Sequence, residues 1–70
     1  MPGAPSPTRI EEYATLEAAQ ARLGAIGAAH RAEHSSRSRW VYWVGRQRAW
    51  LTAERVGRGV RLAWYGACPC

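Results

Sequence analysis

The 70-residue sequence contains no lysine, aspartate, asparagine or phenylalanine, and its two cysteines, Cys68 and Cys70, both lie at the C-terminal end. Arginine and alanine are favoured by GC-rich codons, so a GC-rich gene is the simplest explanation for this usage. Two cysteines at one end do not make a disulfide framework. No stretch approaches the ~20 apolar residues of a membrane-spanning helix, and the start lacks the pattern of a secretory signal. We therefore expect a cytoplasmic protein that does not contact a membrane.

Carboxylates are also scarce, because the chain has only five acidic residues and all are glutamates. No Ser/His/Asp or Cys/His arrangement has a spacing that indicates catalysis, so we predict a protein that is not an enzyme and that needs no cofactor. His30, His34, Cys68 and Cys70 are of types that bind zinc. The topology predicted below places the cysteines a strand length from the histidines, so we expect no metal site.

Positive charge is plentiful and unevenly distributed. Ten arginines against five glutamates give a formal net charge of +5. Residues 9–34 contain three arginines and four glutamates (net −1), whereas residues 35–70 contain seven arginines and one glutamate (net +6). Such a balance favours a polyanion or an acidic protein surface as the partner.

The stretch Arg39–Gly66 contains all four tryptophans and two of the three tyrosines. Its aromatic and β-branched residues fall into three short runs that are separated by Gly-Arg sequences. Runs of this composition bounded by glycine are typical of strands joined by hairpins. The pattern predicts a three-stranded antiparallel meander with strands near 39–45, 49–56 and 60–66.

The N-terminal half predicts a helix over 9–34. Thr8–Glu11 has the spacing of a capping box, and the larger apolar residues fall roughly on one side: Ile10, Tyr13, Leu16, Leu23 and Ile26. Gly24 and Gly27 are positions where this helix could break. The predicted fold class is therefore α+β, with one long N-terminal helix on the meander. Residues 1–7 form a flexible leader, 8–67 a single domain and 68–70 a Cys-Pro-Cys tail.

A second stripe of this predicted helix consists of alanines, including Ala14, Ala18 and Ala21. Because small side chains allow another backbone to approach, the stripe could pack closely against the sheet or against a second copy. The alternative is that alanine is frequent simply because it is the best helix former and the gene is GC-rich. A homodimer through this Ala-rich helix or through the exposed face of the sheet is one predicted arrangement.

The turns set the register of the strands. A two-residue turn at Gly57-Arg58 suits type II′ and places Trp50 opposite Tyr65, while the loop Gly45–Arg48 places Trp43 opposite Trp50. The face that we expect the helix to cover then carries Trp40, Tyr42, Val44, Leu51, Ala53, Val60, Leu62 and Trp64. The other face carries an aromatic row, which we call the outer row and which consists of Trp43, Trp50 and Tyr65. Because one helix covers one side, we expect this row to face solvent or a partner.

Aromatic residues beside arginine occur both at protein interfaces and on sheets that hold single-stranded nucleic acid. The predicted partner-binding residues are Trp43, Trp50, Tyr65, Arg46, Arg48 and Arg61, and the predicted polyanion-binding residues at the other end of the sheet are Arg37, Arg39, Arg55 and Arg58.

Our first functional hypothesis is a small interaction protein of phage or mobile-element type. It would bind and block a larger acidic host protein or nucleoprotein complex, as anti-CRISPR inhibitors do. The alternative is direct DNA or RNA binding through the same sheet, and a weaker one is a precursor peptide modified at its C-terminal Cys-Pro-Cys.

Overall fold

The computed structural model describes residues 6–69, so most of the predicted leader and Cys70 lie outside the described part of the chain. Seven elements follow one another along the chain. They are β1 (Arg9–Tyr13), α1 (Leu16–Ala25), β2 (Ala28–His30), a 3₁₀ turn (Ala32–His34), β3 (Arg39–Val44), β4 (Ala49–Val56) and β5 (Gly59–Tyr65). The strands form one antiparallel sheet in the order β1-β5-β4-β3-β2. The α+β class is confirmed and the three predicted strands are present as β3, β4 and β5. The prediction of one long helix is wrong, and the sheet has five strands instead of three.

The segment predicted as one helix is divided among two strands, a ten-residue helix and the 3₁₀ turn. Thr8 is not an N-cap: its backbone N–H and its hydroxyl donate to the carbonyl oxygen of Trp64, at 2.8 and 3.2 Å. The N-cap is Thr15, whose hydroxyl accepts from the Ala18 amide at 3.1 Å. A three-stranded meander leaves unpaired backbone groups along both edges, and pairing β1 with β5 and β2 with β3 satisfies them, which outweighs local helix propensity.

The helix ends where the sequence allowed a break. Gly27 has a φ of +69° and follows the C-cap Ile26, in the left-handed position that glycine commonly occupies after a helix. The end of the helix also divides the predicted alanine stripe. Ala14 precedes α1 and Ala28 belongs to β2, while Ala18 and Ala21 lie on the exposed side of α1. A continuous helical seam for a second copy is therefore not formed.

The predicted register of the three central strands is confirmed. Trp43 lies opposite Trp50, which lies opposite Tyr65. Gly57 has a φ of +61° and Arg58, the second residue of that turn, does not have a positive φ, as a type II′ turn requires. We call the side of the sheet that faces α1 the inner face and the other side the outer face.

The core lies between α1 and the inner face. Its buried residues are Ala19, Leu23 and Ile26 from the helix and, from the sheet, Val44, Leu51, Ala53, Val60, Leu62 and Trp64. These sheet residues all lie on the face that the sequence assigned to the helix. Trp40 and Tyr42 are half-buried against the same core, because the ten-residue α1 is too short to cover the whole inner face.

A Gly59→Ala variant should be less stable than the wild type. A Cβ at position 59 would overlap the carbonyl oxygen of Tyr13 on the neighbouring β1, so β1 would have to move away from β5, at a cost of about 1–3 kcal/mol. Gly24→Ala is the matched control, because a Cβ there meets open space on α1 and should stabilise the helix by up to ~1 kcal/mol. Urea denaturation measures the free energy of unfolding of both variants and of the wild type. A Gly59→Ala protein as stable as the wild type would show that β1 tolerates the displacement.

Candidate binding face

The outer face presents the aromatic row predicted from the sequence. Trp43, Trp50 and Tyr65 lie side by side on β3, β4 and β5. The rings of Trp43 and Trp50 are 5.2 Å apart between centroids and inclined at 60°, which is the edge-to-face geometry that aromatic pairs prefer. The row is therefore a preformed surface that does not have to be ordered on binding.

The row is less exposed than we expected, since all three side chains are half-buried. His34, at the end of the 3₁₀ turn, packs edge-on against Trp50 with ring centroids 5.6 Å apart and an angle of 87°. The loop that follows the 3₁₀ turn is held against β3 by a hydrogen bond of 3.0 Å from the Val41 amide to the Ser35 hydroxyl. Val41, which points to the outer face, is fully buried. The sequence pattern gave no signal for this cover, because the segment was assigned to a helix on the other face.

The C-terminal segment covers a second part of the outer face. Pro69 is buried, and its carbonyl oxygen accepts a hydrogen bond of 3.4 Å from the guanidinium of Arg39 on β3. Thr52 and Ala63, which also point to the outer face, are buried as well. Pro69 thus belongs to the folded part of the chain, whereas the predicted modification of the Cys-Pro-Cys tail involves Cys70, outside the described residues.

Two arginines stand at one end of the outer row, in the loop that joins β3 to β4. Arg46 and Arg48 are exposed, and neither forms an ion pair within residues 6–69. Arg48 adopts a φ of +48°, a conformation that non-glycine residues adopt only uncommonly. The structure thus brings five of the six predicted partner-binding residues to one end of the sheet.

The sixth, Arg61, lies further along the outer face. It lies opposite Glu54 on β4, but its guanidinium pairs with Glu12 on β1, at 3.4 Å. The strand β1 was absent from the predicted sheet, so this partner could not be foreseen. Arg61 is therefore less available to a partner than Arg46 and Arg48.

The predicted polyanion-binding arginines do not share one face. Arg39 points to the outer face and bonds Pro69, while Arg55 lies at the edge of a cavity on the inner face. Arg37 precedes β3, and Arg58 lies in the turn between β4 and β5. Sheet alternation separates Arg39 from Arg55, so these four residues do not form one continuous patch.

The two histidines also diverge. His30 is paired with Tyr42 on the inner-face side of β2, with ring centroids 5.3 Å apart, whereas His34 contacts Trp50 on the outer face. They do not converge as helical neighbours would. Among residues 6–69 no group of three or more histidine, cysteine or acidic side chains has the arrangement of a metal site.

Glu11, which the sequence predicted as the acid of a capping box, instead connects β1, α1 and β5 through its carboxylate, and its side chain is 11% exposed. Glu11 accepts from the Tyr13 hydroxyl at 2.7 Å, from Arg22 Nε at 3.2 Å and from the Trp64 indole N–H at 3.2 Å. Arg9 Nη2 lies 3.1 Å from Oε2, the carboxylate oxygen that also accepts from Trp64. Burial acts to raise the pKa of Glu11, but the hydrogen bonds from Tyr13 and Arg22 outweigh it, so the pKa is lowered. The bond to this carboxylate in turn raises the pKa of Tyr13.

The fold and this face together define the class: an α+β protein with one helix on the inner face of a five-stranded antiparallel sheet and an aromatic row beside arginines on the outer face. Comparisons with protein-family models, with curated proteins and with solved structures found no match to this chain. Among the described residues, no helix has both the length and the apolar character that crossing a membrane would require.

Proposed function

We propose that this protein is a non-enzymatic binding module whose outer face engages an acidic surface of a larger protein. The observation that carries the proposal is the outer row, with Arg46 and Arg48 beside it and without a carboxylate partner in the described part of the chain. Tryptophan, tyrosine and arginine are the residues most enriched among interface positions that dominate binding energy. The net charge of +5 favours an acidic partner.

The geometry of the rings favours a protein over a nucleic acid. Bases stack on aromatic side chains that present an open ring face. Trp50 is instead enclosed by two edge-on neighbours, Trp43 and His34. A half-buried aromatic cluster of this kind fits the centre of a protein interface, where arginines at the rim steer an acidic partner and water is excluded from the middle.

The first test compares two exposed arginines. Arg46→Glu should abolish capture of a partner from a host lysate, because it reverses a charge beside the outer row. Arg58→Glu is the matched control: it makes the same charge change in the turn between β4 and β5, at the other end of the sheet, and should leave capture unchanged. Equal losses in the two variants would show that only the overall charge matters and would contradict the proposed face.

The second test concerns Trp50 at the centre of the row. Trp50→Ala should abolish capture while leaving the protein folded, as measured by pull-down and by a thermal melt of the same sample. If Trp50→Ala melts as early as Trp64→Ala, the row is part of the core and the proposal fails. Capture that disappears after nuclease treatment, together with oligonucleotide binding that weakens steeply with added salt, would establish the nucleic-acid alternative instead.

The more specific predictions made from the sequence, namely a blocking role of phage type and a modified Cys-Pro-Cys tail, gain no further support here and stay predictions. The Trp50→Ala variant also tests a homodimer through the outer face. If that dimer forms, size-exclusion chromatography would show that the variant has a smaller oligomeric state than the wild type.

A further inference from the structure

A cavity of about 240 Å³ lies on the inner face, toward the end of the sheet away from the outer row. Its floor is formed by Ala19 of α1, by Ala53 of β4 and by Val60 of β5, all of them buried. Two of these three residues are alanines, one on the helix and one on the sheet, and their small side chains leave the space between helix and sheet unfilled. Leu16, 41% exposed, stands among the residues that line the cavity.

The lining is apolar and aromatic with one charge. Trp40 and Tyr42 form one wall and are half-buried. The Tyr42 hydroxyl is protonated at neutral pH, like any tyrosine with an ordinary or raised pKa, and burial raises the pKa of Tyr42 further, so it can donate a hydrogen bond. Arg55 is the only charged residue in the lining, and it forms no ion pair within residues 6–69. Gln20 of α1 adds a neutral polar group.

From this arrangement we infer a site for a small molecule that has an apolar ring or branched body and one carboxylate. The body fits the space between Ala19, Ala53 and the two aromatic side chains, and Arg55 supplies the fork of donors that matches a carboxylate. An apolar cavity of about 150 Å³ is enough to bind benzene, so 240 Å³ accommodates a ring with a short chain. Typical drug-sized pockets begin at about 300 Å³, so the ligand is small.

The probes are 4-phenylbutyrate and its neutral isostere 4-phenylbutanamide, titrated into the ¹⁵N-labelled full chain and followed by amide chemical shifts. We expect saturable shifts at Trp40, Tyr42 and Leu23, with tighter binding of the acid. Arg55→Gln should weaken binding of the acid about tenfold, equivalent to ~1.4 kcal/mol, because it removes a hydrogen-bonded ion pair with the carboxylate. The same variant should change the affinity for the amide by about twofold or less, since the neutral amide oxygen accepts a hydrogen bond from the guanidinium but forms no ion pair with it.

A second variant closes the cavity. Leu16→Trp places a larger side chain beside it at a partly exposed position and should prevent binding of both probes, while a thermal melt reports that the variant is folded. The inference is overturned if neither probe gives saturable shifts at millimolar concentration, if acid and amide bind the wild type equally, or if the shifts fall on Trp43 and Trp50. None of these results bears on capture of a protein through the outer face.

Discussion

A Trp64→Ala variant is expected to lose most of the stability of this protein. Trp64 is 4% exposed at the centre of the core, and its indole N–H donates to Glu11 at 3.2 Å. Truncating a buried tryptophan typically costs ~3–5 kcal/mol, whereas a domain of this size has a total stability of only about 4–10 kcal/mol. The melting temperature should fall by on the order of 20 °C, as measured by circular dichroism.

Trp64→Phe separates packing from hydrogen bonding. Phenylalanine fills much of the same volume but leaves Glu11 with one donor fewer, so the loss should be about 1–3 kcal/mol and the variant should stay folded. Trp50→Ala is the comparison on the outer face, where the side chain is half-buried. A Trp64→Ala protein that melts like the wild type would show that the packing of α1 on β5 does not hold the fold together.

Glu11→Gln should destabilise the protein at neutral pH and remove part of its acid sensitivity. In the wild type, the carboxylate accepts from Tyr13, Arg22 and Trp64. The amide of the variant has only one oxygen, and its NH₂ group faces donors that it cannot bond. Because bonds to a charged acceptor are worth about 1.5–3 kcal/mol, a loss of roughly 2 kcal/mol is expected from the free energy of unfolding.

The pKa of Glu11 is lowered in the folded protein, so its contribution is present above the pKa of the unfolded chain, about 4.3. That contribution is lost as the pH falls through the lower folded pKa. The difference in unfolding free energy between wild type and Glu11→Gln should therefore be constant above about pH 5 and shrink below about pH 4. The other glutamates are present in both proteins and cancel in this difference. A difference that stays constant down to pH 2 would contradict the role assigned to Glu11.

Much of the sheet could be predicted from the sequence because its information is local. Gly57 fixes the turn between β4 and β5, and the alternation of residues along each strand then assigns every side chain to a face. The outer row follows from the same two facts, since a shift of one residue would have placed Trp64, and not Tyr65, beside Trp50. Arg46 and Arg48 followed because a four-residue loop places its side chains beside the strand ends that it joins.

The N-terminal half could not be read in this way, because residues 9–34 have a helical pattern that competes with pairing at a distance. Arg9–Tyr13 and Ala28–His30 form strands because they pair with the open edges of the central sheet, which exist only once that sheet has folded. Satisfying these backbone groups outweighs a weak local preference for helix. The same tertiary arrangement brought Glu11 against Trp64 and His34 against Trp50, and it placed Ala19 and Ala53 in the lining of one cavity. The sequence by itself therefore determined the three central strands, their register and the outer row. The tertiary structure decided what covers that row, which donors surround the Glu11 carboxylate and where the core remains open, because these depend on contacts between residues far apart in the chain.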